Sequence, residues 1–90
     1  PPPIQLAAAA IRRAGMQFTN LSWEGAGADS PIDVYRDGSL LEVAEPIVSD
    51  EEGDGEYTDE VGEKGGGMHF YRICESGAQT ICSNVVMVTY

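Results

Sequence analysis

Apolar residues recur at every second position along much of the chain, the spacing of strands half buried in a sheet. Residues 17–23 place Thr19, Leu21 and Trp23 on one face, and residues 32–36 place Ile32, Val34 and Arg36 on one side. Similar strand-like runs occupy residues 39–44, 56–61, 70–73 and 85–88. Residues 4–11 complete the set. Their four consecutive alanines favour helix by propensity, so a strand there stands beside an N-terminal helical turn as the alternative. Turn residues separate the segments: Gly15, the Gly/Ala/Asp/Ser/Pro loop 25–31, Asp37-Gly38 and Gly65-Gly66-Gly67. Asp37-Gly38 is the strongest hairpin signal among them. Short strands with turns at this frequency predict an all-β fold, a seven-stranded antiparallel β-sandwich of the immunoglobulin-like kind.

The same alternation sorts the aromatic residues. Trp23, the only tryptophan, is the expected centre of the core, with Tyr35 and Tyr71 assigned beside it. His69 falls on the inward side with Tyr71 and Ile73. Phe70, adjacent to an inward residue, should face solvent and form with Met68 an exposed apolar patch, which would mark a contact surface. Tyr57 and Tyr90 are not assigned by the pattern.

Ninety residues suit one small domain with a thin core. Five basic against fifteen acidic residues give a net charge of −10, which repels nucleic acid and anionic lipid and argues against both as partners. The pair Arg12-Arg13 is too small to reverse that. No run of eighteen apolar residues exists to span a membrane as a helix. Residues 1–3, all proline, suggest the end of a semi-rigid linker, with the domain over 4–90; the chain is then a fragment of a longer protein, monomeric by itself.

Cys74 and Cys82 flank a polar loop containing Gly77, with strand-like runs on either side. A hairpin would bring their sulfurs within bonding reach, leaving a disulfide and two buried thiols as alternatives. The spacing is not that of a C-x-x-C redox pair, and a zinc site would lack ligands because His69 is the only histidine. If oxidised, the pair points to export and would contribute about 2.5 kcal/mol in the chain-entropy account.

With the strands placed, residues 4–90 resemble the fibronectin type III-like modules found near the C-termini of secreted bacterial hydrolases, notably subtilisin-like serine proteases. The resemblance rests on Leu21-Ser22-Trp23, on Asp33-Val34-Tyr35-Arg36-Asp37-Gly38-Ser39-Leu40, and on Gly55-Glu56-Tyr57-Thr58-Asp59. Gly65 to Glu75 and Cys82-Ser83-Asn84 continue it. It implies a fibronectin type III-like sandwich, a Cys74–Cys82 disulfide between the last two strands, and a secreted, extracellular location. It also implies a non-catalytic accessory role, as spacer or as attachment device, beside a parent catalytic domain and a polymeric or protein substrate. Two features depart from that pattern. His69 stands where an aromatic is usual, either making the packing pH-sensitive or bonding to nearby backbone. An acidic insertion precedes Gly55.

Within that insertion, the acidic loop 50–56 is the best candidate for chemistry. Asp50, Glu52 and Asp54, followed by Gly55, imitate the start of a calcium-binding loop. The imitation stops at the twelfth position, Val61, where a bidentate glutamate is required, and at the third, where glutamate replaces a shorter residue. A calcium-stabilised adhesion module is therefore the alternative function, against a mobile, solvated loop and no cofactor. Catalysis finds little support: His69, Asp59 and a serine would be the only triad, and no Gly-x-Ser-x-Gly elbow or phosphate-binding glycine loop is present. Asn20-Leu21-Ser22 matches an N-glycosylation acceptor but, in a bacterial setting and inside a strand, is read as chance.

Overall fold

The computed structural model describes residues 2–90, apart from the side chains of Ala78 and Gln79. The Pro1 end of the expected linker lies outside the described residues. The regular elements are β1 (Gln5–Arg13), β2 (Met16–Glu24), β3 (Pro31–Arg36), β4 (Ser39–Leu40), β5 (Ile47–Val48), β6 (Gly55–Lys64), β7 (Met68–Glu75), β8 (Ala78–Cys82) and β9 (Val86–Thr89). Among the described residues no helix is long and apolar enough to cross a membrane.

Two antiparallel sheets form. The smaller has the order β1-β2-β6. In the larger, β3 and β7 are central; β4 and β5 both pair with β3, and β8 and β9 both pair with β7.

Among the described residues nine strands thus replace the expected seven, because both edges of the larger sheet are interrupted. The strand expected over 39–44 leaves the sheet after Leu40, passes exposed Glu42, Glu45 and Pro46, and rejoins β3 at Ile47. Proline has no N–H for the ladder, so a break there is expected of an edge. On the other side, the supposed cysteine loop is itself strand β8. Cys74 pairs with Cys82 and Glu75 with Ala78, across a tight turn at Ser76-Gly77. The strand then breaks at residues 83–85, and β9 pairs with the first half of β7, from Met68↔Thr89 to Tyr71↔Val86.

β1 is a strand, and the helical-turn alternative falls. It pairs residue for residue with β2, from Gln5↔Glu24 to Arg13↔Met16, through a two-residue turn in which Ala14 and Gly15 both have positive φ. Nine paired residues outweigh the helical preference of four alanines, whose propensity is a weak prior.

The inward faces meet in one core. Leu6, Leu21 and Trp23 from the smaller sheet pack with Ile32, Val34, Tyr71, Ile73 and Val88 from the larger, and Ile4 closes the cluster. Gly55 is required beneath the tryptophan: a Cβ there would stand 2.3 Å from Trp23 Cζ2. The indole N–H is satisfied by Ser49 Oγ at 3.0 Å.

Candidate functional site

The outer face of the larger sheet carries most of the exposed large apolar side chains. Phe70 and Met68, on β7, are 44% and 52% exposed; Met87 on β9 is 59% exposed and lies directly opposite Phe70. Val85 and Leu40 extend the patch at 59% and 55%. Tyr35 belongs to this face and not to the core: its alternation with Ile32 and Val34 turns it outward, and the Arg72 guanidinium lies 5.4 Å from its ring centroid. Such stacking suits an exposed arginine beside an aromatic. Between these side chains lies an open groove of about 290 Å³, lined by Tyr35, Gly38, Phe70, Tyr71, Arg72 and Val85.

The turn after β3 fixes the position of Phe70. Asp37 and Gly38 both have positive φ, the geometry an Asp-Gly hairpin turn requires. Asp37 then reaches across to β7. Its backbone N–H donates to Phe70 O at 2.8 Å, and its Oδ1 accepts the Phe70 N–H at 2.9 Å. Its Oδ2 accepts from His69 Nδ1 at 2.6 Å. The Phe70 amide, and after it the His69 ring, hold the Asp37 carboxyl below its ordinary range. His69 points inward as the alternation requires, edge-on to Tyr90 at 5.9 Å, but its partner is this carboxylate and not backbone. Its Nε2 faces Glu63 Oε2 at 3.5 Å.

Behind the face, a buried polar network joins the sheets. Tyr71 donates to Asp59 Oδ2 at 2.6 Å, and Arg36 Nη1 donates to the same oxygen at 2.7 Å. Thr19 Oγ1 bonds to the Tyr71 hydroxyl at 2.9 Å and also to the Tyr90 hydroxyl. Burial, reinforced by the Asp59 bond, pushes the Tyr71 phenol well above its ordinary range. For Arg36, burial works against the charge, but Asp59 and Tyr71 outweigh it and the pKa is raised. Asp59 is thus committed to Arg36 and Tyr71, and the His69–Asp59 pair that a triad would need is not formed.

Cys74 and Cys82 are joined in a disulfide. It ties β8 to β7 three residues beyond Tyr71, at the end of the exposed face. The bond is consistent with export to an oxidising compartment.

The acidic loop 50–56 is ordered by its own hydrogen bonds. Asp50 Oδ1 accepts from Glu52 N at 3.0 Å and Asp54 N at 2.9 Å, while Asp50 N donates to Asp54 O at 2.8 Å. Ala26 N–H to Gly53 O (3.1 Å) and Asp29 N–H to Asp50 O (2.9 Å) fasten it to the loop after β2. Glu52 and Asp54 are exposed. Among the described residues no three metal-ligating side chains converge.

No family model, curated protein or solved structure matches the chain. Met68 and Phe70 lie together on the outer face, whereas Asp50, Glu52 and Asp54 do not gather around a common point. Asp37 was not foreseen beyond its turn. The Arg36 side chain was an available clue to the network behind it, since an inward arginine demands a carboxylate. Asn84 gave no such warning. Its side chain turns to β1, where Oδ1 accepts from Leu6 N at 2.8 Å and Nδ2 donates to Leu6 O at 3.1 Å.

Proposed function

We propose that this chain is a non-catalytic accessory module of a secreted bacterial hydrolase of the subtilisin-like protease kind, with a fibronectin type III-like fold. Three strands face a layer built on β3 and β7, and if each interrupted edge is counted as one strand, the arrangement is three against four. That order supports the fold assignment. The disulfide supports export. The observation that carries the functional reading is the outer face of the larger sheet, where Met68, Phe70, Val85 and Met87 are all 44–59% exposed. A contiguous apolar face of this kind is a contact surface.

The module holds its parent against a polymeric or protein substrate through this face, with Phe70 at its centre. Aromatic anchors dominate such contacts, and neighbouring residues exclude water around them. Co-sedimentation with fibrillar collagen, chitin and peptidoglycan tests the reading. Intact protein should pellet with at least one of these, and Phe70→Ala should weaken that binding by about tenfold, equivalent to 1.4 kcal/mol. Equal binding by both proteins, or none by either, would remove this face from the function.

A further inference from the structure

The two sheets have four edges, and they differ in what lies along them. The Asn84 amide clamps β1 at Leu6, and a bridge between Ile4 and Ser83 adds to it. Both edges of the larger sheet are broken into short pieces. β6 pairs continuously with β2 from Gly55↔Trp23 to Glu60↔Phe18, and among the described residues no backbone hydrogen bond joins it to any other element. Among the described residues β1 beyond Leu6 likewise pairs only with β2, but its side chains there are four alanines, Ile11 and two arginines, whereas β6 carries carboxylates. Beyond Glu60 the register shifts: Phe18 faces Glu60 while Met16 faces Lys64, so residues 61–63 bulge around Gly62. The regular, open part of the β6 edge is therefore residues 55–60.

We propose that this edge accepts an added strand from an extended polypeptide segment that carries Lys or Arg at alternating positions. An uncovered edge offers a row of unpaired N–H and C=O groups to such a segment. The side chains decide which segment fits. Glu56 and Glu60 both project from the outer face, and neither has an ion-pair or hydrogen-bond partner among the described residues. Thr58, between them, is turned toward β2 by its bond to Asn20 Oδ1 at 2.9 Å. A second copy is disfavoured: antiparallel pairing centred on Thr58 would set Glu56 of each copy against Glu60 of the other, and like charges directly opposite repel. A cationic strand turns the same two carboxylates into cross-strand ion pairs, and the net charge of −10 draws it in.

The test uses the ¹⁵N-labelled chain, titrated at low salt with a capped Lys-Val-Lys-Val-Lys-Val peptide. Shifted resonances and slowed amide exchange should be confined to residues 55–60. Binding should weaken about tenfold or more, 1.4 kcal/mol, with a peptide N-methylated at alternate residues and with Glu56→Lys/Glu60→Lys. A Glu-Val peptide should not bind, and Phe70→Ala should leave binding unchanged, which separates this edge from the apolar face. The proposal is overturned by perturbations scattered over the acidic surface, by equal affinity for the N-methylated peptide, by a concentration-dependent dimer of the free chain, or by no response at millimolar peptide. The N-methylated arm stands even where the double substitution does not fold.

Discussion

Tyr71 fills the centre of the core with its ring while its hydroxyl reaches Asp59 and Thr19 on the opposite sheet, with Arg36 completing the charge balance. Removing only the oxygen leaves Asp59 with one partner fewer in a buried setting. Tyr71→Phe should therefore destabilise the fold by about 1–2 kcal/mol in urea denaturation near neutral pH. The pH dependence has a definite sign. The folded-state pKa of this phenol is raised, so its contribution is fully present below the unfolded value, about 10, and is lost as pH rises further. Alkaline unfolding curves of the native chain should fall off above that point, and Tyr71→Phe should flatten the fall. A slope unchanged by the substitution would assign the alkaline loss to other groups.

At the level of elements, the loop 50–56 is shaped by Asp50, which supplies one acceptor to two amides. Asp50→Ala should lower stability by about 0.5–1 kcal/mol, since the two N–H groups lose a shared acceptor but remain open to water, and Asp50→Asn should recover part of the loss. Because the loop orders itself, millimolar calcium is expected to leave the unfolding midpoint where it was. A rise of several degrees would instead point to a site that binds only the folded state.

The strands themselves were largely legible. Period-two patterning located β2, β3 and most of β7, and Asp37-Gly38 announced its hairpin. The interruptions were not legible, because each depends on a side chain or imino acid meeting a distant element. Pro46 lacks a ladder N–H wherever it stands, but the loss is tolerated only at an edge, and Asn84 leaves its strand only because Leu6 of β1 is within reach. The contact face was half visible. Phe70 and Met68 follow from alternation, but the aromatic character of Tyr35 argues for the core while its position between two inward residues turns it outward. Met87 and Val85 joined the patch only once β9 was paired with β7.

Over the whole molecule, a thin core is shared by two sheets, and the Cys74–Cys82 bond fastens the larger one at its end. Reduction should lower the free energy of unfolding by about 2.5 kcal/mol, the effect of freeing a short loop in the unfolded chain. Urea curves with and without reductant measure this, and a shift below about 0.5 kcal/mol would show that pairing within the sheet already holds β8 in place. The charge is distributed to match the two proposed surfaces. Apolar contact is concentrated on the outer face of the larger sheet, and unpaired carboxylates line the open edge of the smaller. Residue-level mapping of the bound chain should locate attachment on the first of these. Titration of the ¹⁵N-labelled chain with solubilised collagen peptides, chito-oligosaccharides and peptidoglycan fragments should, for the cognate polymer, shift the amides of Met68, Phe70, Arg72 and Met87 together and leave β1 and β2 unmoved. Shifts gathered on the smaller sheet, or absent with all three ligands at millimolar concentration, would contradict it.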